Sequence, residues 1–136
     1  MKLSTKGRYS LLIMLYLANN YDNGRFISLS EIATNNNISL KYLEKIMLNL
    51  KKSDFFISSR GVDGGYKLKY EPKEYKLLDI LEASEGNLNV TSCVSDNNDC
   101  VFIKKCLTYP VWKDLNNALY SFLSNKTLED YRRENK

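Results

Sequence analysis

Cys93, Cys100 and Cys106 are the only cysteines of the chain, and they share one short segment, CVSDNNDCVFIKKC. Their spacing is C-x6-C-x5-C. Soft thiolates at this density suit an iron–sulphur cluster or zinc. The segment is rich in Asp and Asn, which is not the pattern of a buried core. Three thiolates leave a closed site one ligand short, so a fourth donor is needed. Two other readings stay open. The thiols can act as a redox switch, or they are three ordinary cysteines of the kind that behave as small hydrophobes.

The chain contains no histidine. That removes His-based triads, Cys–His nucleophile pairs and His-containing zinc sites. Neither a P-loop nor a dinucleotide fingerprint is present. No acid–base or nucleophile constellation stands out, so an enzyme and a small-molecule substrate are not expected. The 136 residues suffice for one core with an appendage. Residues 9–18 are apolar but too few to span a bilayer. They follow Lys2, Lys6 and Arg8, as in a signal peptide, yet no small-residue cleavage site comes after. An odd cysteine count and no leader predict a cytoplasmic protein with no membrane partner.

Charge is unevenly placed. The net charge is +4, but residues 1–70 hold 11 Lys and Arg against 5 Asp and Glu, while residues 71–136 hold 9 against 11. A basic front half predicts a polyanionic partner; a solvated cationic face is the plainer alternative.

The elements that must position these groups follow from periodicity and turn chemistry. Residues 7–20 predict a helix that is apolar nearly all round, hence buried. Ser28 and Glu31 have capping-box spacing at the head of a short helix over 28–34. Asn35, Asn36 and Asn37 then predict a turn. Ser39 caps a helix over about 40–53, with Leu43, Ile46, Met47 and Leu50 inward and Lys41, Tyr42, Glu44, Lys45 and Lys52 mostly on other faces. Helix, tight turn and a basic second helix make a helix-turn-helix pattern. Residues 55–59 and 66–70 predict two strands around Arg60-Gly61-Val62-Asp63-Gly64-Gly65. A hairpin at this place is a wing, with Arg60 set to enter a minor groove.

Pro72 ends the wing, residues 75–85 predict a helix stopped by Gly86, and Pro110 opens a long helix. Val111, Trp112, Leu115, Leu119, Phe122 and Leu123 form a stripe along it. A winged domain leaves little in its own chain to cover that stripe, so a homodimer is expected. Thr127 and Asp130 predict a capped last helix, and YRRENK a frayed tail. The fold class is therefore mainly α with a small β hairpin, a winged helix-turn-helix followed by a long C-terminal dimerisation helix. Residues 1–85 are the expected DNA-binding domain, 86–109 the cysteine-bearing sensor loop, and 110–136 the dimerisation helix and tail.

MKLSTKGRYSL, ISLKYLEKIMLNLKKS, SRGVDGGYKL and CLTYPVWKDL together resemble the Rrf-two family of bacterial winged-helix transcription regulators, over nearly the whole chain. Within it the likeness is greatest to the iron–sulphur cluster regulators. The resemblance implies a dimeric regulator, a repressor in the leading reading, that binds a double-stranded DNA operator. It puts Ser39, Lys41, Tyr42, Glu44 and Lys45 at the start of the recognition helix and Arg60 and Tyr66 in the wing. Lys45 stands where members often carry Gln, and Lys favours guanine O6 and N7. Cys93, Cys100 and Cys106 match the cysteines that hold a cluster, of two-iron or four-iron type. In the cluster-binding pattern a C-L-T-H segment supplies a histidine as fourth ligand; here Tyr109 occupies that place. Some members use a carboxylate near the start of the partner subunit, where this chain has Arg8. The remaining candidates for a fourth ligand are Tyr109, Asp96, Asp99, another carboxylate or an exogenous donor, and the cluster is expected to be labile. Zinc, a thiol switch, or control by a protein partner are the alternatives.

Overall fold

The computed structural model describes residues 3–95 and 100–133. Among them, α1 (Thr5–Asn19), α2 (Leu29–Asn36) and α3 (Leu40–Leu50) are followed by a hairpin of β1 (Phe56–Ser59) and β2 (Gly65–Leu68). Then come α4 (Leu77–Glu85), α5 (Tyr109–Asn125) and α6 (Leu128–Tyr131). Each of the first three helices starts at a serine. Ser4, Ser28 and Ser39 accept the N–H of Gly7, Glu31 and Tyr42 at 3.3, 3.0 and 3.3 Å. A serine cap satisfies one N–H that the helix cannot satisfy itself. Only Asn37 of the three asparagines is left-handed (φ 52°); Asn35 and Asn36 complete the last turn of α2. α3 stops at Leu50, three residues earlier than expected.

The core lies between α1, α3 and α4. Ile13, Met14, Leu43, Leu50 and Ile80 have no exposed surface. As expected, α1 is covered on most sides, and its one buried hydroxyl, Ser10, donates to Lys6 O and is paired with Ser84 at 2.8 Å. Burying such a polar group without those partners costs several kcal/mol, about 2 or more.

The hairpin is antiparallel, with Phe56 opposite Leu68 and Ser59 opposite Gly65. A third segment joins it: Ile27 and Tyr66 exchange both backbone hydrogen bonds, at 2.8 and 2.7 Å. Gly65 makes this possible. Its φ is +142°, and a Cβ there would strike the carbonyl of Ile27. Gly65→Ala is therefore expected to cost about 3 kcal/mol in urea unfolding, through strain and the lost bridge. A loss under half of that would show that the bridge is dispensable.

Two features differ from expectation. Pro72–Glu74 forms a 3-10 turn, closed by a reciprocal cap between Glu71 and Glu74, so α4 begins only at Leu77. The C-terminal segment does not fray before Arg133. α6 carries the Thr127–Asp130 capping box, and its Leu128 is fully buried in the core of the winged region. Arg132 pairs with Asp22 at 2.5 Å and Glu129 at 3.2 Å, and Arg133 N–H donates to Asn19 at 2.6 Å. A buried leucine contributes about 2 kcal/mol, enough to hold a four-residue helix that could not form alone. Among the described residues no helix is long and apolar enough to cross a membrane.

Candidate nucleic-acid interface and cysteine loop

α3 divides its side chains by helical geometry. Leu43, Ile46, Met47 and Leu50 point inward, while Lys41, Glu44 and Lys45 are exposed. Ser39 stands at its N-terminus and is exposed. Tyr42 is half-buried, edge-on to Tyr9 of α1 at 5.6 Å between ring centres. The outward face of α3 thus offers two cations, one carboxylate and a phenol held in place by a second ring. Such a set fits the edges and phosphates of a major groove.

Arg60 is exposed at the tip of the hairpin, beside Gly61. Tyr66, also a wing candidate, is differently placed. Its ring is half-buried against Phe56 at 5.9 Å, with the Lys51 ammonium 5.1 Å from its centroid. Lys51 directly follows α3, so this cation–π contact ties the end of that helix to the wing. Sequence reasoning missed Lys51, and also Lys67, whose ammonium lies 4.6 Å from the Phe26 ring. The interleaving of Lys with aromatics in GGYKLKY was the available signal.

Behind the wing, Arg25 makes a forked pair with Glu31 at 2.7 and 2.8 Å, and Tyr16 donates to the same carboxylate at 2.8 Å. The Arg25 guanidinium holds the Glu31 carboxyl below the usual carboxylate range. Burial, then the Glu31 bond, pushes the Tyr16 phenol up. The group fastens α2 to α1.

The cysteines border α5. Cys93 sits in a 3-10 turn, Ser92–Val94, that packs against α5. Its sulphur lies 2.8 Å from the Thr91 hydroxyl. Cys106 lies just before α5, its sulphur 3.4 Å from the Thr108 hydroxyl. That hydroxyl, then the backbone N–H groups of Thr108 and Tyr109, hold its thiol below the ordinary cysteine range. A helix N-terminus favours a thiolate in the same way. Cys100 is exposed, and none of the three is in a disulfide. Tyr109 is half-buried as the first residue of α5. Asp96 and Asp99 lie outside the described residues. Among the described residues no three Cys, Asp, Glu or His side chains come together as a metal-ligand group. The donor set itself, three cysteines with the Cys106 thiol held below its ordinary range, fits an iron–sulphur cluster or zinc.

α5 also fastens the segment ahead of Cys93, through residues the sequence did not single out. Asn116 accepts the N–H of Val90 at 3.0 Å and donates to Asn89 at 3.1 Å; Tyr120 OH accepts the N–H of Leu88 at 3.2 Å. The apolar stripe of α5 is divided. Leu123 is buried, and Leu119 and Tyr120 pack on the core of their own chain. Val111 and Phe122 remain 55% and 50% exposed, and Ala118 is exposed. The expected stripe is therefore covered along one edge by α4 and open along the other.

A helix-turn-helix with a pinned hairpin is the architecture of a winged-helix DNA-binding protein. The family model for Rrf2, an iron-dependent transcriptional regulator, matches residues 3–134, and the chain belongs to that family. It is similar to the HTH-type transcriptional regulator IscR of Cronobacter sakazakii, with 35% identity over 128 residues, covering 94% of this chain and 78% of that one. Among solved structures, CymR, the global cysteine regulator of B. subtilis, superposes with a TM-score of 0.81 and 35% identity, covering 96% of this chain and 95% of that one. T. potens IscR gives 0.75 and 33%, covering 96% and 85%. The family consists of DNA-binding transcription regulators and not of enzymes.

Proposed function

We propose that the protein is a homodimeric, cytoplasmic repressor that binds a double-stranded operator and responds to the state of Cys93, Cys100 and Cys106. The observation that carries the DNA reading is the outward face of α3, with Lys41, Glu44 and Lys45 exposed beside a hairpin that puts Arg60 at its tip. In this reading α3 enters the major groove and Arg60 the adjacent minor groove. Two copies joined along α5 set the separation of the half-sites.

Val111, Leu115, Ala118 and Phe122 recur at intervals of four, three and four along α5. That is the seam of two helices packed on each other. Their edge of the helix is the open one, so a second copy of the same face covers it.

The three cysteines would hold an iron–sulphur cluster, whose redox and assembly chemistry makes it a sensor of iron and oxidants, with Tyr109, a carboxylate or an exogenous group as the fourth donor. Cys106 lies just before α5, its sulphur 3.4 Å from the hydroxyl of Thr108, the cap residue of that helix. Any change in its bonding therefore acts on the first turn of the helix that joins the copies. CymR of B. subtilis is a global cysteine regulator, and the three cysteines of this chain favour the likeness to the iron–sulphur cluster regulators over the likeness to CymR.

The test begins with duplexes selected from a random pool by the purified protein. An enriched inverted repeat, with binding that weakens steeply as salt rises, is the expected result. No enrichment over the pool would reject the reading. On the selected duplex, Arg60→Ala should weaken binding by about 1–3 kcal/mol. Unchanged affinity would remove Arg60 from the contact.

A further inference from the structure

Tyr75, between the Pro72–Glu74 turn and α4, is 3% exposed, and its hydroxyl makes contacts that core packing does not need. The phenol donates to the carbonyl of Phe55 at 2.7 Å and accepts the N–H of Tyr70 at 3.0 Å. Phe55 directly precedes β1, and Tyr70 lies two residues beyond β2. One hydroxyl therefore spans both strands at the root of the wing, opposite the tip that carries Arg60. The same carbonyl of Phe55 also accepts Lys69 N–H at 3.0 Å, which closes the ladder there.

The far side of Tyr75 is held as well. Its carbonyl accepts the N–H of Leu128 at 3.0 Å, and Leu77 N–H donates to Lys126 at 2.9 Å. Leu128 is fully buried, so this strap is anchored in the core. The ring is edge-on to Phe55 at 5.6 Å. Burial raises the phenol above its ordinary range, so it stays protonated and able to donate at neutral and mildly alkaline pH.

A two-stranded hairpin is marginal by itself, and this one takes its direction from two anchors, the Ile27 bridge at Tyr66 and the Tyr75 hydroxyl at the root. Four residues of strand place the tip about 13 Å from the root. A tilt of about 15° at the root moves the tip by about 3 Å, well beyond the tolerance of a hydrogen bond.

We propose that Tyr75 is a positioning residue for DNA binding: its hydroxyl fixes the wing root against the strap Lys126–Leu128 and so sets where Arg60 falls relative to α3. This rests on the wing reading above. The conservative test is Tyr75→Phe, which keeps the ring contact and removes the hydroxyl. Amides of β1 and β2 are expected to exchange with deuterium at least ten-fold faster, while those of α1 and α3 keep their wild-type rates. Affinity for the selected duplex should fall about five- to twenty-fold. Minor-groove protection from hydroxyl radicals should weaken while major-groove guanines stay protected from methylation. Exchange that quickens throughout the core, or a variant that does not fold, makes the hydroxyl a general stability element and overturns the proposal. Unchanged wing exchange with unchanged affinity overturns it too. Wild-type protein that leaves the minor groove unprotected refutes the wing reading itself. Wild-type protection with a variant that binds equally well refutes Tyr75 alone.

Discussion

Phe122→Asp is expected to convert the proposed dimer into a folded monomer and to remove operator binding with it. Half of the Phe122 surface is open in the single chain, so an aspartate there costs the monomer little. In a two-fold interface the same residue is lost twice. Each phenylalanine forfeits roughly 2.5 kcal/mol of burial, together about 5 kcal/mol, or more than three decades in Kd. Desolvating the carboxylates adds to this. Sedimentation should show a monomer at micromolar concentration with wild-type helix content. A dimer that survives the change would move the interface off this edge of α5. Leu119, in the same stripe, is the wrong probe, because it packs on its own core and a charge there attacks the fold first.

The contrast between Phe122 and Leu119 shows what the sequence carried. Periodicity told which residues of α5 share a face. It could not tell which edge of that face the chain itself covers, since this depends on α4, some forty residues away. Local chemistry was more legible. The serine caps at Ser28 and Ser39, the capping box Thr127–Asp130, the glycine turn of the wing and the stop at Gly86 are each decided within a few residues, and all are present. The return of Leu128 into the core was hidden, because a four-residue helix with one apolar anchor resembles any polar tail. So were the jobs of Tyr75 and Tyr66, whose rings are spent on Phe55, Phe56 and Lys51. Two flanking threonines were legible in retrospect: T-x-C and C-x-T frame the cysteine segment, and Thr91 and Thr108 meet Cys93 and Cys106.

That framing bears on the second large effect, expected at the cysteines. Protein purified in air should be colourless. Anaerobic reconstitution with iron and sulphide should give a brown protein, and Cys100→Ala should remove the colour, because a site with three thiolates cannot spare one. The fourth donor decides how long the colour lasts. A phenol must lose its proton to ligate, which at neutral pH costs an ordinary tyrosine about 4 kcal/mol, whereas imidazole ligates in its neutral form. Tyr109→His should therefore slow bleaching in air by at least ten-fold. Tyr109 is the first residue of α5, next to Thr108, whose hydroxyl lies 3.4 Å from the Cys106 sulphur, so the new ring is carried on a helical turn beside the third cysteine. Binding of one zinc by a colourless reconstituted protein would replace the cluster by a zinc site. If neither metal binds, the cysteine loop is a thiol switch or a vestige, and the DNA-binding reading of α3 stands without it.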